Sequence, residues 1–284
     1  MVDLCWSLGY YQTPLQNRCN MNQILKSLGQ RLKKATLRAN AWFLRQIPGT
    51  TPWELVPGPL TYKENGLFTV VNCDFLSEPR FQEAYRLGEQ TGSWGQYTIR
   101  WRAYVVCWAA YHASRLEGDF VECGVNLGGY SRAAMHFTDF PRLGKTFYLL
   151  DTFRGLEDKL ISDAERKLGV AELYKDYYHE CYEEVSKTFA GFPVVLVRGV
   201  VPDTLPQVKT SKVCYLSIDM NCAAPEIAAA EYFWDKLVPG AVMVLDDYGW
   251  DPHIMQKLAF DRFAAERGVM VLGLPTGQGL IFKP

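Results

Sequence analysis

From Asp119 to the C-terminus, short apolar runs alternate with helical stretches, and this pattern restricts the chain to few folds. The runs are 120–125, 146–153, 194–200, 213–220, 241–248, 269–275 and 279–283. Helical patterning fills 130–137, 164–189, 223–237 and 253–267, with a short piece at 203–208. Runs that are apolar throughout belong to strands buried on both faces, and strands separated by helices form a parallel sheet. Pro225-Glu226 predicts a helix opening, with proline in the first turn and an acid near the positive end of the dipole. Only Pro275-Thr276-Gly277-Gln278 separates the last two runs. So short a link forces them antiparallel.

Seven strands with the last one reversed resemble the Rossmann-like α/β sheet of class I methyltransferases. Upstream of Asp119 the pattern is less regular. Residues 1–50 hold seven basic side chains against one acid, Asp3. Met21, Ile24, Leu25, Leu28 and Leu32 recur there at helical spacing, with basic residues between them. Such a helix suits an anionic membrane surface, or, the preferred reading, packs its leucines on its own body or on a second subunit. Met21 is an alternative start, which would leave residues 1–20 as extra chain. Pro48, Pro52, Pro57 and Pro59 read as a linker. The expected organisation is an extension and linker over 1–60, a helical cap region over 61–118 and the methyltransferase-like domain over 119–284. Within the cap region a helix is predicted from Ile99 to Arg115, with Tyr104, Val105, Trp108, Ala109 and Tyr111 as core or pocket wall.

Bulk properties remove several function classes. Thirty Lys and Arg against 31 Asp and Glu argue against a dedicated nucleic-acid binder. No apolar stretch approaches the ~18 residues of a membrane span, and no secretory signal is visible at the N-terminus. The eight cysteines include no C-x-x-C pair, so a zinc site or disulfide framework is not expected and the cytoplasm is the default location.

Ligands of open α/β sheets bind beyond the carboxyl ends of the strands. The loop after the first run is Glu122-Cys123-Gly124-Val125-Asn126-Leu127-Gly128-Gly129-Tyr130-Ser131. It lacks G-x-G-x-x-G, the pyrophosphate fingerprint of nicotinamide enzymes. An acid at Glu122 would repel a pyrophosphate and suits a cationic ligand such as S-adenosylmethionine. The structural alternative is a tight turn that needs glycine. Asp151 ends the second run and is placed to accept two hydrogen bonds from ribose hydroxyls, or else to cap Thr152-Phe153-Arg154-Gly155. Asp219 and Asp246-Asp247 end the fourth and fifth runs. Three hard oxygen ligands describe a Mg²⁺ site. Adjacent residues of a strand face opposite ways, so Asp246 and Asp247 share an ion only where the strand is already turning. The alternative pairs Asp246 with a base and leaves Asp247 or Asp251 as a helix cap.

The segments 120–125, Gly128-Gly129 and 151–156 are similar to the TylF-type (macrocin) O-methyltransferase family. Gly199 with 203–206, 216–219, 237–240 and Asp246-Asp247-Tyr248 extend the likeness over about residues 85–284. The resemblance implies S-adenosylmethionine- and Mg²⁺-dependent methylation of a small-molecule hydroxyl, often on a sugar of a secondary metabolite. It also implies that Asp219, Asp246 and Asp247 hold the metal. Glu122, Gly124, Tyr130, Ser131, Asp151, Thr152, Phe153 and Gly199 would line the cofactor. Where the family commonly shows D-x-D, this chain has Asp219-Met220-Asn221, and an amide is not a useful base. Asp219, through the metal, and His253 are therefore the catalytic candidates, with bulk water as an alternative proton acceptor. His112, His136 and His179 are expected to be structural or exposed. Two other functions stay open at this level: a nicotinamide-dependent oxidoreductase and a non-catalytic nucleoside-binding protein. A homo-oligomer built through the aromatic N-terminal part is also expected.

Overall fold

The computed structural model describes residues 27–29, 31–32, 35–36, 39 and 59–284. The chain divides into two units, 1–59 and 60–284. In the first, the described residues before Pro59 are helical, and Leu28 and Leu32 are exposed. Met21, Ile24, Leu25 and the prolines at 48, 52 and 57 lie outside the described residues.

The second unit opens with a hairpin, β1 (Tyr62–Glu64) and β2 (Leu67–Thr69). Asn65 and Gly66 supply the two positive φ angles of its turn, +46° and +78°, as a two-residue hairpin loop requires. Helices α1 (Pro79–Glu89) and α2 (Arg100–Ala113) follow. Glu78 caps α1 by accepting from the amides of Arg80 and Phe81.

Then come β3 (Asp119–Cys123), α3 (Gly129–Thr138), β4 (Phe147–Asp151), α4 (Asp163–Lys167), α5 (Val170–Tyr174) and α6 (Tyr182–Thr188). The chain ends through β5 (Val194–Arg198), β6 (Val213–Ile218), α7 (Ala223–Trp234), β7 (Leu237–Leu245), α8 (Ile254–Glu266), β8 (Leu272–Gly273) and β9 (Gly279–Phe282). The single helix expected over 164–189 is three short ones. Gly169, at φ +83°, ends the first, and residues 175–181 form a loop.

The seven-stranded sheet has the order β5-β4-β3-β6-β7-β9-β8. β3 pairs in parallel with β4 and β6, β6 with β7, and β9 runs antiparallel to both β7 and β8. Alternate residues point to opposite faces. Phe120, Phe147, Leu149, Tyr215, Val242 and Val244 pack in one core with residues of α1, α2, α3 and α6. Val121, Cys123, Tyr148, Leu150, Leu216, Ile218, Met243 and Leu245 pack in the other with α7 and α8. Both faces are thus dry, which is why the strands read as unbroken apolar runs. The expected cap region shares the first core, since Phe81, Tyr85 and Ala103 are buried in it. At the first face the rings of Phe120, Phe147 and Tyr215 lie 4.9 to 6.1 Å apart. Truncating one such ring to alanine costs about 3–5 kcal/mol.

Candidate active site

The sheet changes direction at β3, which has β4 on one side and β6 on the other. Such a switch leaves a crevice above the strand ends. A cavity of about 450 Å³ opens there, a size that holds a small ligand. Glu122, Gly124, Tyr130, Asp151, Thr152, Phe153, Gly199, Asp219, Asp246, Asp247 and His253 all line it. Ser131 is fully buried, and its hydroxyl donates to the Glu122 carboxyl.

The turn after β3 needs its glycine. Gly124 has φ +89°, and a Cβ there would meet the Asp219 carbonyl oxygen at 1.8 Å. Asp151 holds the rest of the turn: Oδ2 accepts from the amides of Val125 at 2.6 Å and Asn126 at 2.8 Å. Oδ1 accepts from the Phe153 amide at 2.7 Å. The Thr152 hydroxyl donates to the Gly155 carbonyl at 2.6 Å, which uses its only proton. Oδ1 of Asp151 therefore keeps room for one more donor, where the sequence suggested two ribose contacts. Glu122 is 2% exposed, and burial pushes its carboxyl up to about 8 against the opposing Ser131 hydroxyl.

β7 stops at Leu245, so Asp246 and Asp247 sit in the turn beyond it, where strand alternation no longer separates them. One carboxylate oxygen from each of Asp219, Asp246 and Asp247 lies within 4.8 Å of the others. Donor type and spacing fit a hard divalent cation. The same oxygens also have partners within the chain. A terminal guanidinium nitrogen of Arg102 donates to Oδ2 of Asp246, to Oδ1 of Asp247 at 2.9 Å and to the Asp246 carbonyl at 3.0 Å. Gln278 donates to Oδ1 of Asp246 at 3.0 Å, and Asn221 to Oδ1 of Asp219 at 3.2 Å. Burial raises the Asp219 carboxyl well above the usual range, reinforced by the two neighbouring aspartates. It raises Asp246 as well, there opposed by Arg102.

His253 lies in a short 3-10 helix before α8 and is 4% exposed. Its Nε2 is 2.9 Å from the Tyr174 hydroxyl and 3.7 Å from Oδ2 of Asp247, while its buried Nδ1 has no partner. Of the other histidines, His112 binds the Gly240 carbonyl at 2.8 Å, His136 is half-buried, and His179 is an exposed residue at the cavity mouth.

None of Tyr104, Val105, Trp108, Ala109 or Tyr111 reaches the cavity; from α2 only Arg102 does. Much of the remaining wall is aromatic. Trp94, Tyr97, Tyr174, Tyr177, Tyr178 and Trp250 line it, with Tyr174 and Tyr178 stacked at 5.6 Å. The tyrosine-rich run 174–178 was the visible signal for that wall, whereas Arg102 and Gln278 carry none.

The strand order, the reversed β9, and acids at the ends of β3, β4, β6 and β7 define the class I, Rossmann-like fold of S-adenosylmethionine-dependent O-methyltransferases. Residues 98–271, more than half of the chain, match the macrocin-O-methyltransferase (TylF) family, and the chain belongs to that family. It is therefore an O-methyltransferase, and the nicotinamide and non-catalytic readings fall away. Among solved structures, the O-methyltransferase NovP is similar with a TM-score of 0.56 and 20% identity, over 64% of this chain and 79% of NovP. That likeness bears on the fold alone. CalS11, a calicheamicin methyltransferase, gives a TM-score of 0.48 at 17% identity over 75% of this chain and 94% of its own. An O-methyltransferase from Bacillus cereus in complex with SAH gives 0.48 at 12% identity, over 74% and 96%. No curated protein matches the sequence. Among the described residues no helix is long and apolar enough to cross a membrane.

Proposed function

We propose that the chain methylates a hydroxyl of a small molecule, a sugar of a natural product in the first instance, in a metal-dependent reaction. The observation that carries this reading is the convergence of eleven of the twelve expected site residues on one cavity. S-adenosylmethionine supplies the methyl group as a sulfonium, and Mg²⁺ held by Asp219, Asp246 and Asp247 supplies Lewis acidity toward the acceptor oxygen.

The chain's own residues do the rest. Glu122 presents a carboxylate to a cationic ligand, and Asp151 offers Oδ1 to a ribose hydroxyl. Phe153, Val125 and Gly199 form the apolar and backbone floor. The stacked Tyr174 and Tyr178 flank the acceptor and exclude water, so that attack occurs in line. His253 receives the acceptor's proton at Nε2, either directly or through the Tyr174 hydroxyl, and Asp247 steadies the imidazolium.

The six described cysteines are all free and buried, which suits a reducing cytoplasm. A homo-oligomer remains part of the proposal, with sedimentation velocity as its test. An acceptor screen with free and nucleotide-linked sugars and simple phenols tests the function. Methyl transfer to a hydroxylated acceptor, abolished by chelator, is the expected result; transfer that chelator leaves untouched would remove the metal from the reading.

A further inference from the structure

Arg102 is the one arginine or lysine that the described chain pairs with the three aspartates. It enters from α2, and its side chain is only 12% exposed. A single terminal nitrogen makes all three of its side-chain hydrogen bonds, and all three go to Asp246 and Asp247. Its Nε is buried without a partner. The guanidinium is thus fastened to Asp246 and Asp247, through both carboxylates and the Asp246 carbonyl.

That seat occupies one oxygen of each of two acids in the cluster, Oδ2 of Asp246 and Oδ1 of Asp247. A divalent ion held by the same cluster would stand close to the guanidinium, and two cations at that spacing repel. Among the described residues Asp219 has no ion pair; its side chain accepts from Asn221, and Arg102 acts on it only at longer range. Two aspartates are therefore paired directly by the chain itself and one is not. From the same seat the guanidinium carbon lies 5.7 Å from the Trp250 ring, within reach of a cation–π contact.

We propose that Arg102 is a tethered counter-cation of the Asp219–Asp246–Asp247 cluster that competes with the divalent ion. It keeps the three acids assembled when no ion is bound, and it sets the metal affinity low by having to leave. This rests on the metal reading given above, and it assigns to that site a built-in regulator.

The test is Mn²⁺ binding, read by the loss of the free-ion electron paramagnetic resonance signal, to the full chain without cofactor or acceptor. Wild type, Arg102→Met and Arg102→Lys are compared. Arg102→Met is expected to bind at least tenfold more tightly than wild type, with Arg102→Lys between them. Equal or weaker binding by Arg102→Met overturns the proposal while leaving the metal site standing. No binding by any of the three at millimolar Mn²⁺ overturns the proposal and the metal reading together. Because Arg102→Met leaves three buried acids without a cation, its melting temperature is followed as well. It should fall below wild type in chelator and recover with Mn²⁺, whereas a purely structural arginine would give a loss that Mn²⁺ does not restore.

Discussion

The side-chain amide of Asn221 donates to Oδ1 of Asp219 at 3.2 Å, and the same nitrogen reaches the Tyr178 hydroxyl at 3.0 Å. Asn221 is buried, at φ +59°, a conformation that asparagine and aspartate tolerate better than other residues with a side chain. The position where a second carboxylate is common in the family thus holds the first one in place. Asn221→Asp would set two buried carboxylates face to face. In chelator at pH 8 it should lose about 1–3 kcal/mol of stability. The loss should shrink at pH 5, where one of the pair keeps its proton, and on addition of Mg²⁺. Urea melts under these three conditions provide the check.

Glu122 gives the protein a pH signature. Burial raises its carboxyl to about 8 in the fold, from the ordinary value of 4.5. Between these values the folded chain holds a proton that the unfolded chain releases. Stability without ligand is then fully present below about 4.5, falls as pH rises toward 8, and levels off above. The slope is at most about 1.4 kcal/mol per pH unit. Glu122→Gln should flatten that slope. A cationic ligand favours the ionised form, so affinity for S-adenosylmethionine should rise from pH 6 to 9 in wild type and stay level in Glu122→Gln. Calorimetry across the range reads both.

His253→Ala should lower kcat by about 10²–10⁴-fold, the range for a lost general base. Its dissociation constant for S-adenosylmethionine should hardly move, because His253 stands at the acid cluster rather than at Glu122 or Asp151. Tyr174→Phe, which removes the hydroxyl 2.9 Å from Nε2, should cost less. Equal kcat values for wild type and His253→Ala would assign the proton to solvent.

Gly124→Ala is the sharpest structural test. The new Cβ would stand 1.8 Å from the Asp219 carbonyl oxygen, a backbone atom, at φ +89°. Steric conflict and left-handed strain together should cost more than about 3 kcal/mol. The melting temperature should drop by at least about 6–12 degrees, or no folded protein should be recovered; an unchanged melt would contradict the packing of β3 against β6.

The sheet was legible because its central strands are buried on both faces and so read as continuous apolar runs, and β3, β4, β6 and β7 each carry at or beside their last residue an acid that reappears at the cavity. Less regular parts were harder. The hairpin at 62–69 carries an Asn-Gly turn signal, yet its strands are three residues each. The pattern over 164–189 is helical, yet Gly169 breaks it. Arg102 could not be read at all. Arg100, two positions earlier on α2, pairs with Glu64, and only the approach of α2 to the end of β7 distinguishes the two arginines. The compensation of an acid cluster by a distant helix is a tertiary fact.

The central claim is that this cavity binds S-adenosylmethionine, and calorimetric titration tests it most directly. S-adenosylmethionine and, separately, NAD would be titrated into the full chain with Mg²⁺ and then with chelator. The account predicts binding of S-adenosylmethionine with a dissociation constant on the order of micromolar and no heat from NAD. Absence of S-adenosylmethionine binding in both conditions would contradict it.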